Sequence, residues 1–131
     1  MPKPRSYDYA VVRVVPRVER GEFVNAGVIL SCAAEGFLQA RIELDERRLL
    51  SLDANADLET IRITLATIPA ICVGGEKAGA IGKLSVRDRF HWLVAPRSTA
   101  IQTSAVHTGR CDDPAAALEK LMDRMVRPIR T

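Results

Sequence analysis

Long apolar runs are missing from this chain. No stretch approaches the ~20 residues that a membrane span needs. The N-terminus, Met-Pro-Lys-Pro-Arg-Ser-Tyr-Asp, lacks the apolar core of a signal peptide, so a cytoplasmic protein is expected. Cysteine is sparse: Cys32, Cys72 and Cys111 are odd in number and far apart. That spacing excludes a CxxC metal knuckle and a disulfide framework, leaving three reduced, mostly buried thiols. Lysine is scarce too, with four residues among the 19 basic ones. The arginine excess suits bidentate contacts to carboxylate or phosphate. The net charge is only +3 and the pI near 9, which permits nucleic-acid binding without arguing for it.

What is present is ordinary globular material: 131 residues, 47% hydrophobic and 27% charged, enough for one domain spanning residues 1–131. The organising stretch is Tyr7 to Cys32, two runs rich in Val, Ile, Phe and Tyr joined by a polar segment containing Gly21. This is the pattern of a β-hairpin. Simple alternation puts Val24, Ala26, Val28, Leu30 and Cys32 on one side of the second strand, with Asn25, Gly27 and Ile29 on the other. Residues 37–44 alternate more cleanly and complete a three-strand antiparallel meander.

Residues 1–6, with Pro2 and Pro4, read as a flexible lead-in. A helical turn is expected around Arg47–Leu52. A helix should start near Asp57 and carry Leu58, Ile61, Leu65 and Ile68 on one side, with Pro69 kinking or ending it. Residues 74–83 form a mobile Gly-rich loop. Ser85 and Asp88 resemble a capping box before a short helix that Pro96 stops. Thr99–Thr108 reads as a fourth, returning strand. Asp113-Pro114 opens a last helix, about 114–126. The fold class is therefore α+β: an antiparallel sheet of about four strands with about three helices on one face.

The chemical motifs fail on spacing. A phosphate loop ending at Gly82-Lys83 would need glycine where Lys77 stands, and Ser or Thr where Leu84 stands. His91 and His107 are the only histidines, and no HxH, HxxxH or HExxH spacing supports a metal site. Neither a metal nor a cofactor is expected. Ser98 and His107 are weak catalytic candidates, a nucleophile and a base for a small hydrolase or nuclease, but Arg97-Ser98-Thr99 is no nucleophile turn. The richest cluster is Arg87, Arg89, Arg97, Ser98, Thr99, Gln102, Ser104, His107 and Arg110, with Phe90 and Trp92 interleaved. Arginines and hydroxyls beside aromatics are the composition of an anion or nucleic-acid surface. The competing reading is an internal network, with Arg89 and Arg13 satisfied by the fold and Trp92 in the core.

Tyr-Ala-Val-Val-Arg-Val-Val-Pro, Arg-Gly-Glu-Phe-Val-Asn-Ala-Gly-Val-Ile-Leu, Arg89-Phe90-His91-Trp92-Leu93, Ala95-Pro96-Arg97-Ser98 and His107-Thr108-Gly109 together resemble the bacterial family known as domain of unknown function 3037. The resemblance covers nearly the whole chain and brings no activity, substrate or cofactor. It implies an accessory role beside a HipA-like kinase, the toxin-type fold that phosphorylates proteins. The chain has none of a kinase's own loops.

The leading expectation is a non-catalytic accessory or binding protein that works with a protein partner or as a homodimer. A nucleic-acid-binding module using the arginine-rich surface is the alternative. With the helices assigned to one sheet face, Tyr7, Tyr9, Arg13, Asn25, Ile29 and Arg41 should share the uncovered one. Tyr and Arg with few Lys match interface centres, so this face is the expected interface.

Overall fold

The computed structural model describes residues 4–129. Its sheet is built from β1 (Arg5–Val14), β2 (Val24–Cys32), β3 (Phe37–Ile42), β4 (Ile101–Thr103) and β5 (His107–Cys111), all paired antiparallel. Four helices accompany it among the described residues: α1 (Glu46–Leu52), α2 (Leu58–Val73), α3 (Val86–Val94) and α4 (Pro114–Met125). The α+β class and the N-terminal meander are as expected. Of the anticipated lead-in, residues 1–3 lie outside the described residues, and Arg5 and Ser6 already belong to β1.

The returning strand is two strands. β3, β2 and β1 lie side by side, and both β4 and β5 pair with the far edge of β1. Ser104 mends the break between them. Its backbone N–H donates to the Val11 carbonyl at 2.8 Å, while its hydroxyl accepts from the Val11 N–H at 2.9 Å. A side-chain oxygen thus replaces the carbonyl that a regular ladder would supply, and Ser104 is buried as a result.

The helices occupy both faces. Val12, Val14, Val24, Ala26 and Ile29 pack with Leu49 of α1, with Ile61, Leu65 and Ile68 of α2, and with Phe90 and Leu93 of α3. On the other side Val28, Leu30 and Cys32 pack with Leu118, Leu121 and Met122 of α4, and Tyr7 and Tyr9 join them. The face expected to be open is therefore covered by α4. Asn25 donates to the Met125 carbonyl at 2.9 Å, and Arg41 pairs with Glu119 at 2.7 Å. Arg127 draws Glu43, Glu119 and Asp123 together beside them.

Ile29 is on the opposite face from Tyr7, Tyr9, Arg13, Asn25 and Arg41, and is 0% exposed. The reason is a β-bulge. Val12 pairs with Gly27 and Arg13 with Asn25, so Ala26 is skipped. One extra residue in β2 reverses the alternation on either side of it, which simple period-two reading cannot anticipate. Of the six residues expected on an open face, Tyr7 and Tyr9 pack with α4, Asn25 and Arg41 bond to it, Arg13 lies against Phe23, and Ile29 is core on the other side.

Pro69 does not end its helix, and α2 runs four residues past it. Ile71 and Cys72, both buried in the core, hold the last turn, and the Gly74 N–H donates to the Ala70 carbonyl at 3.0 Å. Tertiary packing outweighs the one backbone bond the proline removes. The glycine-rich segment forms two 3₁₀ turns, Glu76–Ala78 and Ile81–Lys83, closed by the Gly75 N–H donating to the Gly82 carbonyl at 3.0 Å. Side chains cap all four helices: Asp57, Ser85 and Asp113, as expected, and also Asp45 each accept from a first-turn N–H.

Two substitutions test this frame. A Cβ on Gly27 would strike the Arg41 carbonyl and come within 2.6 Å of Ile42 Cδ1. Gly27→Val should therefore lower the free energy of unfolding by at least the ~1–3 kcal/mol of ordinary overpacking. Ser104→Ala leaves the Val11 N–H buried without its acceptor and should cost about 1–3 kcal/mol. Urea denaturation of both variants measures the losses, and an unchanged midpoint for either one refutes the corresponding contact.

Candidate functional site

The arginine-rich segment is distributed over the fold instead of gathered into one surface. Arg89 lies at the junction of α2 and α3. It donates to the Cys72 carbonyl at 3.3 Å and to the Leu84 carbonyl at 3.1 Å, beneath Gly74. Gly74 has φ +79°, and a Cβ there would come within 2.6 Å of the guanidinium, so glycine is required. Arg13 is half-buried with its guanidinium 4.3 Å from the centre of the Phe23 ring. Arg89 is held by the Cys72 and Leu84 carbonyls with its Nε buried and unpartnered among the described residues, and the Nε of Arg13 is likewise buried without a partner there. Trp92, placed in the core by the internal-network reading, is instead 41% exposed. Asp8 accepts from the Thr108 hydroxyl at 2.9 Å.

Arg87 is exposed in the first turn of α3, and Ser98 is exposed after its end. His107 sits in β5 with its ring centre 5.5 Å from that of Tyr9. Arg110 lines a groove with Tyr7, Lys120 and Arg124 of α4, together with Asp112 and Asp113. Ser98 and His107 do not meet. Ile101 is opposite Val14 and His107 opposite Tyr9, five residues along β1, or about 17 Å at strand spacing. Ser98 precedes Ile101 by three more. Among the described residues, no group of three His, Cys, Asp or Glu comes together as a metal site. No helix there is long and apolar enough to cross a membrane.

Arg97 and Gln102 do come together, on a cleft of about 280 Å³ between α2, α3 and β4. Arg97 lies over Trp92, its guanidinium carbon 4.6 Å from the ring centre. It caps the end of α3, donating from Nη1 to the carbonyls of Leu93 at 2.9 Å and Ala95 at 3.3 Å, and from Nη2 to that of Trp92 at 2.8 Å. A cation at a helix C-terminus meets the negative end of the dipole, which explains an arginine directly after the terminating Pro96. Trp92 is half-exposed and forms one wall of the cleft.

A second feature borders the cleft. Residues 63–75 carry no charge, yet much of α2 faces solvent. Ile63 is 63% exposed and Val73 84% exposed, with Ala66 and Ala70 exposed between them. At 100° per residue these four positions fall within about 80° of arc, on the side of α2 away from Ile61, Leu65 and Cys72. Of the α2 residues that line the cleft, Thr67 lies about 80° round from the middle of this stripe, Thr64 about 140°, and Ile68 on the opposite side. The stripe was legible as a charge-free run in the sequence, but scoring α2 by its buried face passed over it.

Taken together, fold and site define an α+β protein whose antiparallel sheet lies between two helical layers, with an apolar stripe and a small cleft on its α2–α3 side. The chain belongs to the family described as protein of unknown function (DUF3037), whose pattern it matches over residues 9–126. Comparison with curated proteins and with solved structures finds no match.

Two outcomes follow from the α2–α3 junction. Arg89→Met removes charge-assisted bonds to two carbonyls and should lower stability by about 1–3 kcal/mol, read from the denaturation midpoint. Burial pushes the Cys72 thiol up from its ordinary value near 9 to about 12. The unfolded chain then loses this proton first, so stability should fall as pH rises from about 9 to about 12. Cys72→Ala should flatten that part of the stability profile, and an unflattened one would assign the loss to other groups.

Proposed function

We propose that this protein is a non-catalytic binding protein that assembles through the exposed stripe of α2, and that its partner there is a second copy of the chain. The observation that carries this reading is the symmetry of the stripe. Ile63, Ala66, Ala70 and Val73 follow the 3–4–3 spacing of a heptad seam and are symmetric about residue 68. When two such helices cross antiparallel about a two-fold axis, Ile63 meets Val73 of the other copy, and Ala66 meets Ala70. A large residue at each end and small ones in the middle let the backbones approach closely. This is the self-complementary arrangement of an isologous interface, in which residue i contacts j and j contacts i.

Charge follows the same symmetry. The acidic first turn, with Asp57 and Glu59, would lie beside the partner segment that follows α2 and carries Lys77. The antiparallel crossing also sets opposite helix dipoles side by side. A helix apolar on both faces belongs in an interior, and a partner supplies the missing side. The fold's use of Arg89 and Arg97 as donors to backbone carbonyls weighs against the nucleic-acid reading, and so does the separation of Arg110 and His107 from them. A HipA-like kinase, or any other protein, would be a heterologous occupant of the same stripe.

Charge exchange tests the pairing. Ile63→Lys alone and Val73→Glu alone should each give a monomer by light scattering, with the melting temperature of the monomer fold retained. The variant carrying both substitutions sets an ammonium of one copy against a carboxylate of the other, twice across the axis, and should dimerise again. A double variant that stays monomeric contradicts the antiparallel register. Single variants that remain dimeric contradict the stripe as the interface.

A further inference from the structure

We infer that the cleft beside Trp92 is a binding site for a small monocarboxylate with a short apolar body, a role that does not depend on the pairing of α2. The inference begins with the unused donors of Arg97. A guanidinium has five N–H groups in a fixed plane. Three are taken by the carbonyls of Leu93, Ala95 and Trp92, with Nη1 making two of these bonds and Nη2 one. The Nε–H and one Nη2–H have no partner among the described residues. Neighbouring N–H groups of a guanidinium form the fork that receives both oxygens of one carboxylate.

The remaining lining offers almost nothing else to an anion. Thr64, Thr67, Thr99 and Thr103 all border the cleft, yet each hydroxyl donates to a backbone carbonyl, those of Thr60, Thr64, Ile101 and Val94. The Gln102 amide donates to the Thr99 carbonyl at 2.9 Å. The second N–H of the Gln102 amide and the indole N–H of Trp92 are the other side-chain donors left. No acidic residue lines the cleft, so the charge of Arg97 is unanswered there. Ile68, Leu93, Ile101 and the Trp92 ring make the rest of the wall apolar.

A single fork in an apolar cleft selects a single planar charge. Inorganic phosphate, with four oxygens and up to two charges near neutral pH, would leave most of its acceptors unpaired against Ile68 and Ile101. A neutral amide or alcohol offers one oxygen where a carboxylate offers two, and leaves the guanidinium charge unanswered. The volume, about 280 Å³, is at the lower limit of ligand pockets, which sets the size of the body. The carboxylate of a free short-chain acid and that at the end of a polypeptide share this chemistry.

Trp92 is the only tryptophan, so its fluorescence reports on this cleft alone. The full chain is titrated with hexanoate, N-acetyl-leucine, hexanamide and inorganic phosphate, each to about 10 mM. Hexanoate or N-acetyl-leucine should change the emission saturably, and hexanamide and phosphate should not. Tighter binding of hexanoate identifies a free acid as the ligand, and tighter binding of N-acetyl-leucine a chain end. Arg97→Gln should weaken the binding at least tenfold. Because Arg97 also caps α3, Thr67→Phe is the second variant; it fills the cleft without touching the cap and should abolish the response with the circular dichroism spectrum unchanged. No saturable response to either acid overturns the inference. So does an equal response to hexanamide or phosphate, or full binding by a folded Thr67→Phe protein.

Discussion

At Gly27 the backbone of β3 comes so close to β2 that no side chain fits between them. This close approach coincides with the skipped Ala26, and the rest of the architecture follows from the pair. On the N-terminal side of the bulge, Val24 and Ala26 face α1–α3 and Asn25 faces α4. On the C-terminal side Ile29 faces α1–α3, while Val28, Leu30 and Cys32 face α4. Without the bulge β2 would send Val28, Leu30 and Cys32 to the same side as Val24 and Ala26. The α4 layer would then lose its apolar floor. One inserted residue thus gives the central hairpin two hydrophobic faces, and a sheet with two such faces needs helices on both.

With both faces covered, the chain has to place its many arginines at the margins, and it uses several as backbone caps. Arg89 closes the α2–α3 junction and Arg97 closes the end of α3, each through carbonyls that no intrahelical N–H reaches. Arg127 instead gathers Glu43, Glu119 and Asp123, which anchors the segment after α4 to β3. These three arginines are thereby spent on the fold. The α2–α3 side then presents a neutral α2 flank and an apolar cleft bordered by Arg97.

The strands and helices themselves were legible because their signals are local. Alternation in β3, the Asp and Ser caps and the Pro114 start each act within one turn or one strand. The faces were not legible, because the bulge at Ala26–Gly27 has no marker beyond a glycine in a β run, and one glycine is weak evidence. Pro69 misled for a related reason: the local rule is sound, but Ile71 and Cys72 are held by contacts distant in sequence. Ser104 looked like one polar residue among many until its hydroxyl was seen to replace a carbonyl in the ladder. The candidate site divided in the same way. Arg97 and Gln102 border one cleft, whereas His107 and Arg110 lie on β5, next to β4 in sequence but away from that cleft. The α2 stripe was visible in the absence of charge from 63 to 75, a signal that matters only once the helix is known to lie on the surface.

The central claim is that an apolar face of α2 left open by the fold is closed by a second copy. Sedimentation equilibrium of the unaltered chain, over a concentration series, tests it most directly. The account predicts a mass that rises to twice the 14.4 kDa of the chain and stops there, since a two-fold contact closes on itself. A mass that stays at 14.4 kDa throughout would contradict it.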